Sequence, residues 1–503
     1  MGLFTTLHQG SNGKISTLER TSSQNAGQHE AQVPFIAIFL GLVASIGGFM
    51  FGYESGQISG YFNMSKFGEH FGEVSPEGDF YFSAVRQGTI VANLCAGALV
   101  GSPIGGKLAD VIGRRATISS STLFCIVGKV LEIASTTHWS QFAIGRFVGG
   151  IGIGSLSVVV PMYQSECAPK TVRGILLSSY QLFISLGIWV GYLVDYGTNQ
   201  IPSTAAWRVP TGMSFLWALI LGLGILFLPE SPRYAQRMGR EEEARINIAK
   251  LSGVAPDDRL VNEQIREIQM KLEEEASAAE LHWHEIFTGP RMFYRTSLGI
   301  VLQAGQQLTG ANFLFYYGTT IFSATGLSDS YVTQIILGTV NVVCTIAGLW
   351  VASRCGRRKA LMVGSLWAFG CFMVYALVGH FLLDARNPQS TPVAGTVLIV
   401  FSCFFIVAFA TTWGPLVWAI VAELYPARYR GTCMALAMAS NWLFNFLISF
   451  FTTSIVAAIQ WLYGLVFAAC CLCLFFIVYF FLIESKDRSL EGKFPMDPIA
   501  FVK

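Results

Sequence analysis

The chain has 503 residues, 52% of them hydrophobic and 13% charged, with a net charge of +2. Soluble proteins carry about 25% charged residues, so a surface this poor in charge excludes a globule wetted on every side and assigns much of the outside to lipid. So small a net charge does not point to nucleic acid as a partner.

Residues 1–33 are polar, rich in Ser, Thr, Gln and Gly, and read as a disordered segment. No short apolar run ending in a small-residue cleavage site opens the chain, so the first apolar run is expected to stay as a helix. A bilayer core needs about 20 apolar residues in helical form. Such runs fall at 34–62, 81–109, 116–134, 139–161, 173–195 and 207–228, and again at 293–322, 330–352, 359–383, 393–424, 431–457 and 459–483. The polar stretch between them holds two charged amphipathic segments, 240–250 and 262–275, expected to be short helices that clasp one face of the bundle. The organisation read from this is a terminus (1–33), a six-helix half (34–228), a linker (229–292), a second six-helix half (293–483) and a tail (484–503).

Alternate connections collect the basic residues Arg114, Arg115, Lys170, Arg173, Arg354, Arg357, Arg358, Lys359, Arg428 and Arg430, whereas the opposite set holds little beyond Lys66 and Arg386. The positive-inside rule places the basic set, and with it both termini, in the cytoplasm. Of the 11 Cys, most lie in apolar runs as small hydrophobes, and no pair has metal-ligand spacing, so no metal or cofactor is expected.

The halves repeat each other. Glu166-x-x-Pro169 leads to Arg173-Gly174, and Glu423-x-x-Pro426 to Arg430-Gly431. Gly113-Arg114-Arg115 is echoed by Gly356-Arg357-Arg358, and Leu228-Pro229-Glu230-Ser231 by Leu482-Ile483-Glu484-Ser485. Parallel repeats of this kind pack about an axis along the membrane normal, with a substrate site near the midplane between them. On these motifs, together with Gly106-Lys107-Leu108-Ala109-Asp110, Pro161-Met162-Tyr163-Gln164-Ser165-Glu166, Pro229-Glu230-Ser231-Pro232-Arg233 and Gln306-Gln307-Leu308-Thr309-Gly310, the chain resembles the sugar porter family of the major facilitator superfamily, and most the fungal hexose transporters. The resemblance covers roughly residues 34 to 491 and implies an all-α membrane protein of twelve spanning helices in two parallel six-helix halves. It implies transport of a monosaccharide by alternating access, in a monomer in the plasma membrane.

Acids and bases alternate at the basic rim: Asp110, Arg114, Arg115, Glu166, Arg173, Glu230 and Arg233 in and after the first half, and Arg357, Arg358, Glu423, Arg430 and Glu484 in the second. They are expected to form a cytoplasmic gate of ion pairs. Two departures from the family pattern, Ser353 in place of an acid and Ile483-Glu484-Ser485 in place of Pro-Glu-Thr, would weaken its second half.

Uncharged polar groups lie inside the spans. Gln303, Gln306 and Gln307, followed by Asn312, share the seventh, and Gln181, Asn341, Trp418 and Asn441 join them from other spans. Amides facing lipid would be costly, so a polar cavity is expected, and amides offer sugar hydroxyls both donor and acceptor. The resemblance assigns sugar contact to Gln181, Gln306, Gln307, Asn312, Asn341, Trp418 and Asn441, with Gln303 on the same face. Ala410 stands where related animal carriers place a sugar-binding acid. Gly310, Gly318 and Gly414-Pro415 are expected to bend their helices, and the glycine steps at 97, 101, 105 and 145, 149, 150, 154 to let helices approach closely.

Glu54 is the only charge in the first span and Arg146 the only one within the fourth, so the two are expected to pair. In proton-coupled relatives an acid at this position exchanges a proton. Two readings therefore stand, a proton-coupled symporter using Glu54 and a facilitator with a permanent ion pair, and the balance favours the facilitator. A glucose sensor of the same fold is the competing reading from another class, disfavoured by the short tail. No nucleophile–base pair or phosphate loop suggests an enzyme; His282 and His284 read as surface histidines, and Asn63-Met64-Ser65 is a glycosylation sequon close to the membrane.

Overall fold

The computed structural model describes residues 35–136, 138–169, 173–277, 285–289, 291–325, 329–384, 390–425 and 427–484. The N-terminal segment, His282, His284, Lys170, Pro426 and the tail after Glu484 lie outside the described residues, as do the side chains of Arg173, Ser353, Glu423 and Arg430.

Ten helical stretches are long and apolar enough to cross a membrane. The last of these, Thr432–Phe481, reverses at Gln460, where φ is 49°, and so contains two spans. The seventh span adds to these as two shorter helices, Met292–Leu308 and Ala311–Ser323, broken at Gly310, whose φ is 92°. The fold is thus twelve spanning helices in two halves. The first half comprises Phe35–Tyr61, Ala84–Ile112, Arg114–Ile133, Trp139–Cys167, Arg173–Thr198 and Ala205–Gly224. In the second half the broken seventh span is followed by Ser330–Arg354, Arg357–Phe381, a tenth span interrupted between Pro392–Ala408 and Gly414–Leu424, then Ala427–Ile459 and Tyr463–Phe481. Backbone groups in lipid must be satisfied within the segment, which is why each apolar run is a helix.

Small residues set the packing inside the first half. A Cβ on Gly97 or Gly101 would stand 2.0 Å from the carbonyl oxygen of Phe147 or Ile151, so the second and fourth spans meet backbone to backbone. A second stripe, Gly48, Gly52 and Gly56, does the same for the first span against Tyr180, Ile184 and Ile188 of the fifth, and Gly60, one turn on, makes room for the Asp195 side chain.

The linker carries helices Pro232–Arg237, Glu241–Ser252 and Arg259–Ser277 around a small core of Ala235, Ala244, Ile248, Val261 and Ile265. It docks on the first half through Tyr234 Oη, which donates to the Val111 carbonyl, and through Arg237, 3.0 Å from Asp110. On the face opposite the basic connections, the link between the first two spans forms a short helix, Ser65–Phe71, and a hairpin pairing Glu73 with Tyr81 and Val74 with Phe80.

The buried apolar side chains are distributed unevenly between the two faces. Toward the far face one cluster runs through both halves, joining Ile58, Ile184 and Tyr192 to Phe313, Phe315 and Leu337. Toward the basic face the core separates into one cluster built on Leu40, Val43, Ile118 and Leu228, which Trp442 of the eleventh span also joins, and another on Met292, Leu361, Val417 and Leu424.

Candidate functional site

The polar centre of the molecule is built where the broken seventh span meets the eleventh. Asn441 Nδ2 donates to Gln303 Oε1 at 2.8 Å and to Gln306 Oε1 at 2.9 Å, and Asn441 Oδ1 accepts from Gln307 Nε2 at 3.0 Å. Asn312 Nδ2 donates to Gln307 Oε1 at 2.6 Å and to Asn445 Oδ1 at 3.0 Å; Tyr316 Oη donates to the same Asn445 oxygen at 3.2 Å. Gln303, Gln306, Asn441 and Asn445 are buried, whereas Gln307 and Asn312 stay half-exposed. Gln303 Nε2 is buried and has no hydrogen-bond partner among the described residues. A buried donor left unmade costs about 1–3 kcal/mol, so the network has spare capacity for an incoming acceptor.

Two helix breaks hold these groups in place. At the tenth span the chain takes a π-helical turn over Phe409–Trp413 before Gly414 and Pro415. Pro415 lacks an N–H and loosens the preceding ladder. Gln306 Nε2 braces this stretch, donating to the carbonyls of Trp413 at 2.9 Å and Gly414 at 3.0 Å. Gln181 Nε2 of the fifth span lies beside Gly414. At the seventh span Gly310 turns the chain so that Gln307 and Asn312 reach each other. Gly318, expected to bend the helix, lies inside the unbroken Ala311–Ser323; its missing Cβ instead makes room for the Gln334 amide.

Of the residues picked from the sequence, Gln303, Gln306, Gln307, Asn312 and Asn441 therefore come together directly. Among the described residues, Asn341, buried on the eighth span, and Trp418, half-buried on the tenth, stand outside this hydrogen-bonded set. Asn445 belongs to it and was missed, although its place one helical turn beyond Asn441 is a readable signal.

At the basic face the described ion pairs lie within the halves. Arg114 Nε lies 2.9 Å from Glu166 Oε2 and its Nη2 3.4 Å from Asp110, and Ser231 Oγ also donates to Glu166. Glu230 accepts from the backbone N–H groups of Arg114 and Arg115, each at 3.2 Å. Glu484 accepts from those of Arg357 at 2.8 Å and Arg358 at 3.2 Å, so the Ile483-Glu484-Ser485 departure leaves this contact in place.

Neutral groups join the halves toward the far face. Ser59 Oγ meets Thr319 Oγ1 at 2.9 Å and accepts from Gln334 Nε2 at 2.9 Å. Asn63 Nδ2 donates to the Thr319 carbonyl and Tyr331 Oη to the Gly60 carbonyl. Ser185 meets Thr345 across the fifth and eighth spans.

Arg146 Nη1 lies 3.8 Å from Glu54 Oε2, but the nearest cation to that oxygen is Lys129 Nζ of the third span, at 2.5 Å. Lys129 and its partner Glu132, both buried, were not singled out in the sequence, although a Lys and a Glu three apart in an apolar run are visible there.

A family model described as sugar (and other) transporter matches residues 40–494. A low-affinity glucose transporter of Kluyveromyces lactis is 41% identical over 482 residues, covering 95% of this chain and 85% of its own length. A low-affinity glucose transporter of Saccharomyces cerevisiae is 42% identical over 453 residues, covering 90% of this chain and 80% of its own. A galactose transporter of the same yeast is 42% identical over 453 residues, with 90% and 79% coverage. Among solved structures, the xylose transporter of Escherichia coli in a partially occluded inward-open conformation superposes with a TM-score of 0.74 at 24% identity, covering 90% of this chain and all of that one. The proton:xylose symporter bound to 6-bromo-6-deoxy-D-glucose superposes with a TM-score of 0.74 at 25% identity, covering 90% and 98%.

Proposed function

The chain belongs to the sugar (and other) transporter family, and from that premise we propose that it carries a hexose, glucose first, across the plasma membrane by facilitated diffusion. It is a multi-pass membrane transporter of sugar and not an enzyme. The observation that carries the substrate class is the uncharged amide network of Gln303, Gln306, Gln307, Asn312, Asn441 and Asn445, with its buried unmade donor on Gln303. A neutral polyol needs such paired donors and acceptors and no fixed charge. In this reading Gln181, Asn341 and Trp418 complete the sugar contacts from the facing spans. The choice of glucose follows the names of the two glucose-transporter relatives.

The apolar core, continuous toward the far face and divided toward the basic face, supports a conformation open to the basic side. The positive-inside rule makes that side the cytoplasm and puts both termini there. Alternating access then requires the bonds of Ser59, Asn63 and Tyr331 to part while the rim of Arg114, Glu166, Glu230, Arg357 and Arg358 closes, a rocking of one half against the other about the amide site. The protein works as a monomer, each chain holding a whole site.

The test is labelled-glucose counterflow in sealed proteoliposomes, with unlabelled glucose, galactose, fructose and xylose as competitors. Exchange blocked by excess glucose and weakened in Asn441→Ala is expected. Glucose binding without exchange would replace the carrier by a receptor, and neither binding nor exchange would remove hexoses as substrates.

A further inference from the structure

The first half encloses four charges that touch one another. Glu54 lies on the first span, Lys129 and Glu132 on the third and Arg146 on the fourth, each no more than 4% exposed. Lys129 Nζ is 2.5 Å from Glu54 Oε2 and 2.9 and 2.8 Å from the two oxygens of Glu132, so all three of its N–H bonds have carboxylate partners. Glu54 is completed by Gln57 Nε2 at 2.8 Å and by Ser214 Oγ at 3.0 Å. Among the described residues, none accepts a hydrogen bond from the three guanidinium nitrogens of Arg146. Two acids and two bases leave the group without net charge. Among the described residues, the titratable groups around it include Tyr53 and Tyr61 on the first span, Cys95 on the second, Cys125 on the third and Tyr317 on the seventh, with Asp195 of the fifth farther along against Gly60.

We propose that the Lys129 ammonium is a resident counter-ion that takes the place of a transported proton at Glu54, so that sugar crosses without proton coupling. An acid in the moving core of a carrier must be neutralised each time it is shut away from water. A symporter does this with a proton taken from one side and released to the other. Here a cation fixed to the third span does so in every state, because Glu54 and Lys129 belong to the same half and rock together.

This inference deepens the facilitated-diffusion reading and rests on it. The experiment measures glucose exchange and glucose-driven proton movement in proteoliposomes for wild type, Lys129→Met, Lys129→Arg and Lys129→Met/Glu54→Gln, between about pH 5.5 and about pH 7.5. Wild type and Lys129→Arg are expected to exchange glucose at a rate that hardly changes with pH and to move no protons. Lys129→Met should gain glucose-driven proton entry and a flux that falls with rising pH, by up to about tenfold per pH unit for a single carboxyl. The double variant should lose both. Should Lys129→Met not fold, Lys129→Met/Glu132→Gln removes one charge of each sign and is expected to show the same proton entry. A folded Lys129 variant that stays independent of pH, or is arrested at every pH, over a passive wild type overturns this inference alone. Glucose accumulation driven by a proton gradient in wild type overturns it together with the facilitated-diffusion reading.

Discussion

Glu230 and Glu484 do the same work in the two halves: each carboxylate bridges the first two backbone N–H groups of a spanning helix, Glu230 at Arg114 and Arg115, Glu484 at Arg357 and Arg358. In both places the preceding glycine leaves room, since a Cβ on Gly113 would stand 2.7 Å from Glu230 and one on Gly356 2.5 Å from Glu484. Each acid ends one half's last span and caps the N-terminus of that half's third, where the helix dipole favours negative charge.

Glu230→Ala removes both acceptors from a buried helix end. It is expected to lower stability by roughly 1–2 kcal/mol, the usual magnitude for a lost cap, and Glu484→Ala by less because Glu484 is more exposed. Unfolding temperatures of the detergent-solubilised variants check this. Equal melting of wild type and Glu230→Ala would remove the cap from the stability of the fold.

Burial raises the Glu230 carboxyl above its ordinary 4.5, outweighing the backbone N–H bonds from Ser231, Arg115 and Arg114 and the charge of Arg115, which lower it. A folded-state value above the unfolded one means that the folded protein holds this proton more tightly. Its contribution to stability is therefore full below the ordinary value and lost as pH rises through the raised one. Wild type should lose more stability than Glu230→Gln between about pH 4.5 and about pH 7, a difference read from melting curves of both across that range.

Gly310→Ala puts a side chain at φ 92° and a methyl 2.8 Å from the rings of Phe372 and Phe467. Backbone strain of this kind costs of order 1–3 kcal/mol. The substitution is expected to lower the melting temperature and to slow exchange. Wild-type kinetics at Gly310→Ala would show that the break in the seventh span does not need this conformation.

Asn445→Ala takes the acceptor from Asn312 and Tyr316 at once. With each lost partner worth about 1–3 kcal/mol, the KM for glucose should rise by about tenfold or more, with a smaller rise for Asn445→Ser. A KM unchanged in Asn445→Ala would place the eleventh-span amide outside the sugar site.

Much of this could be read from the chain because lipid imposes simple rules. An apolar run must be helical, and so the spans are found near their expected limits; the linker helices, expected at 240–250 and 262–275, occur as Glu241–Ser252 and Arg259–Ser277. The amides of the seventh span announced a polar centre because three of them, Gln303, Gln306 and Gln307, would be costly facing lipid. Pairing was harder. Glu54 and Arg146 are each alone in their spans and looked like exclusive partners, yet Lys129 comes closer to Glu54, and a one-dimensional reading cannot rank three helices by distance. The Gly48, Gly52, Gly56 and Gly60 stripe carries the same step of four as the stripes that were recognised, and was hidden only by the other small residues around it.

The two copies have diverged in mechanical character. Prolines at 103, 161 and 210 sit inside spans of the first half that remain continuous. In the second half the chain is interrupted at Gly310 and again at Phe409–Trp413, both beside the amide network. With the Glu54–Lys129–Glu132–Arg146 cluster riveting three of its helices and glycine stripes fastening others backbone to backbone, the first half is a stiff frame. The second is a jointed one, and deformation on sugar binding falls to it: isotope exchange of backbone amides should slow on adding glucose along the seventh and tenth spans, while the first and third change little.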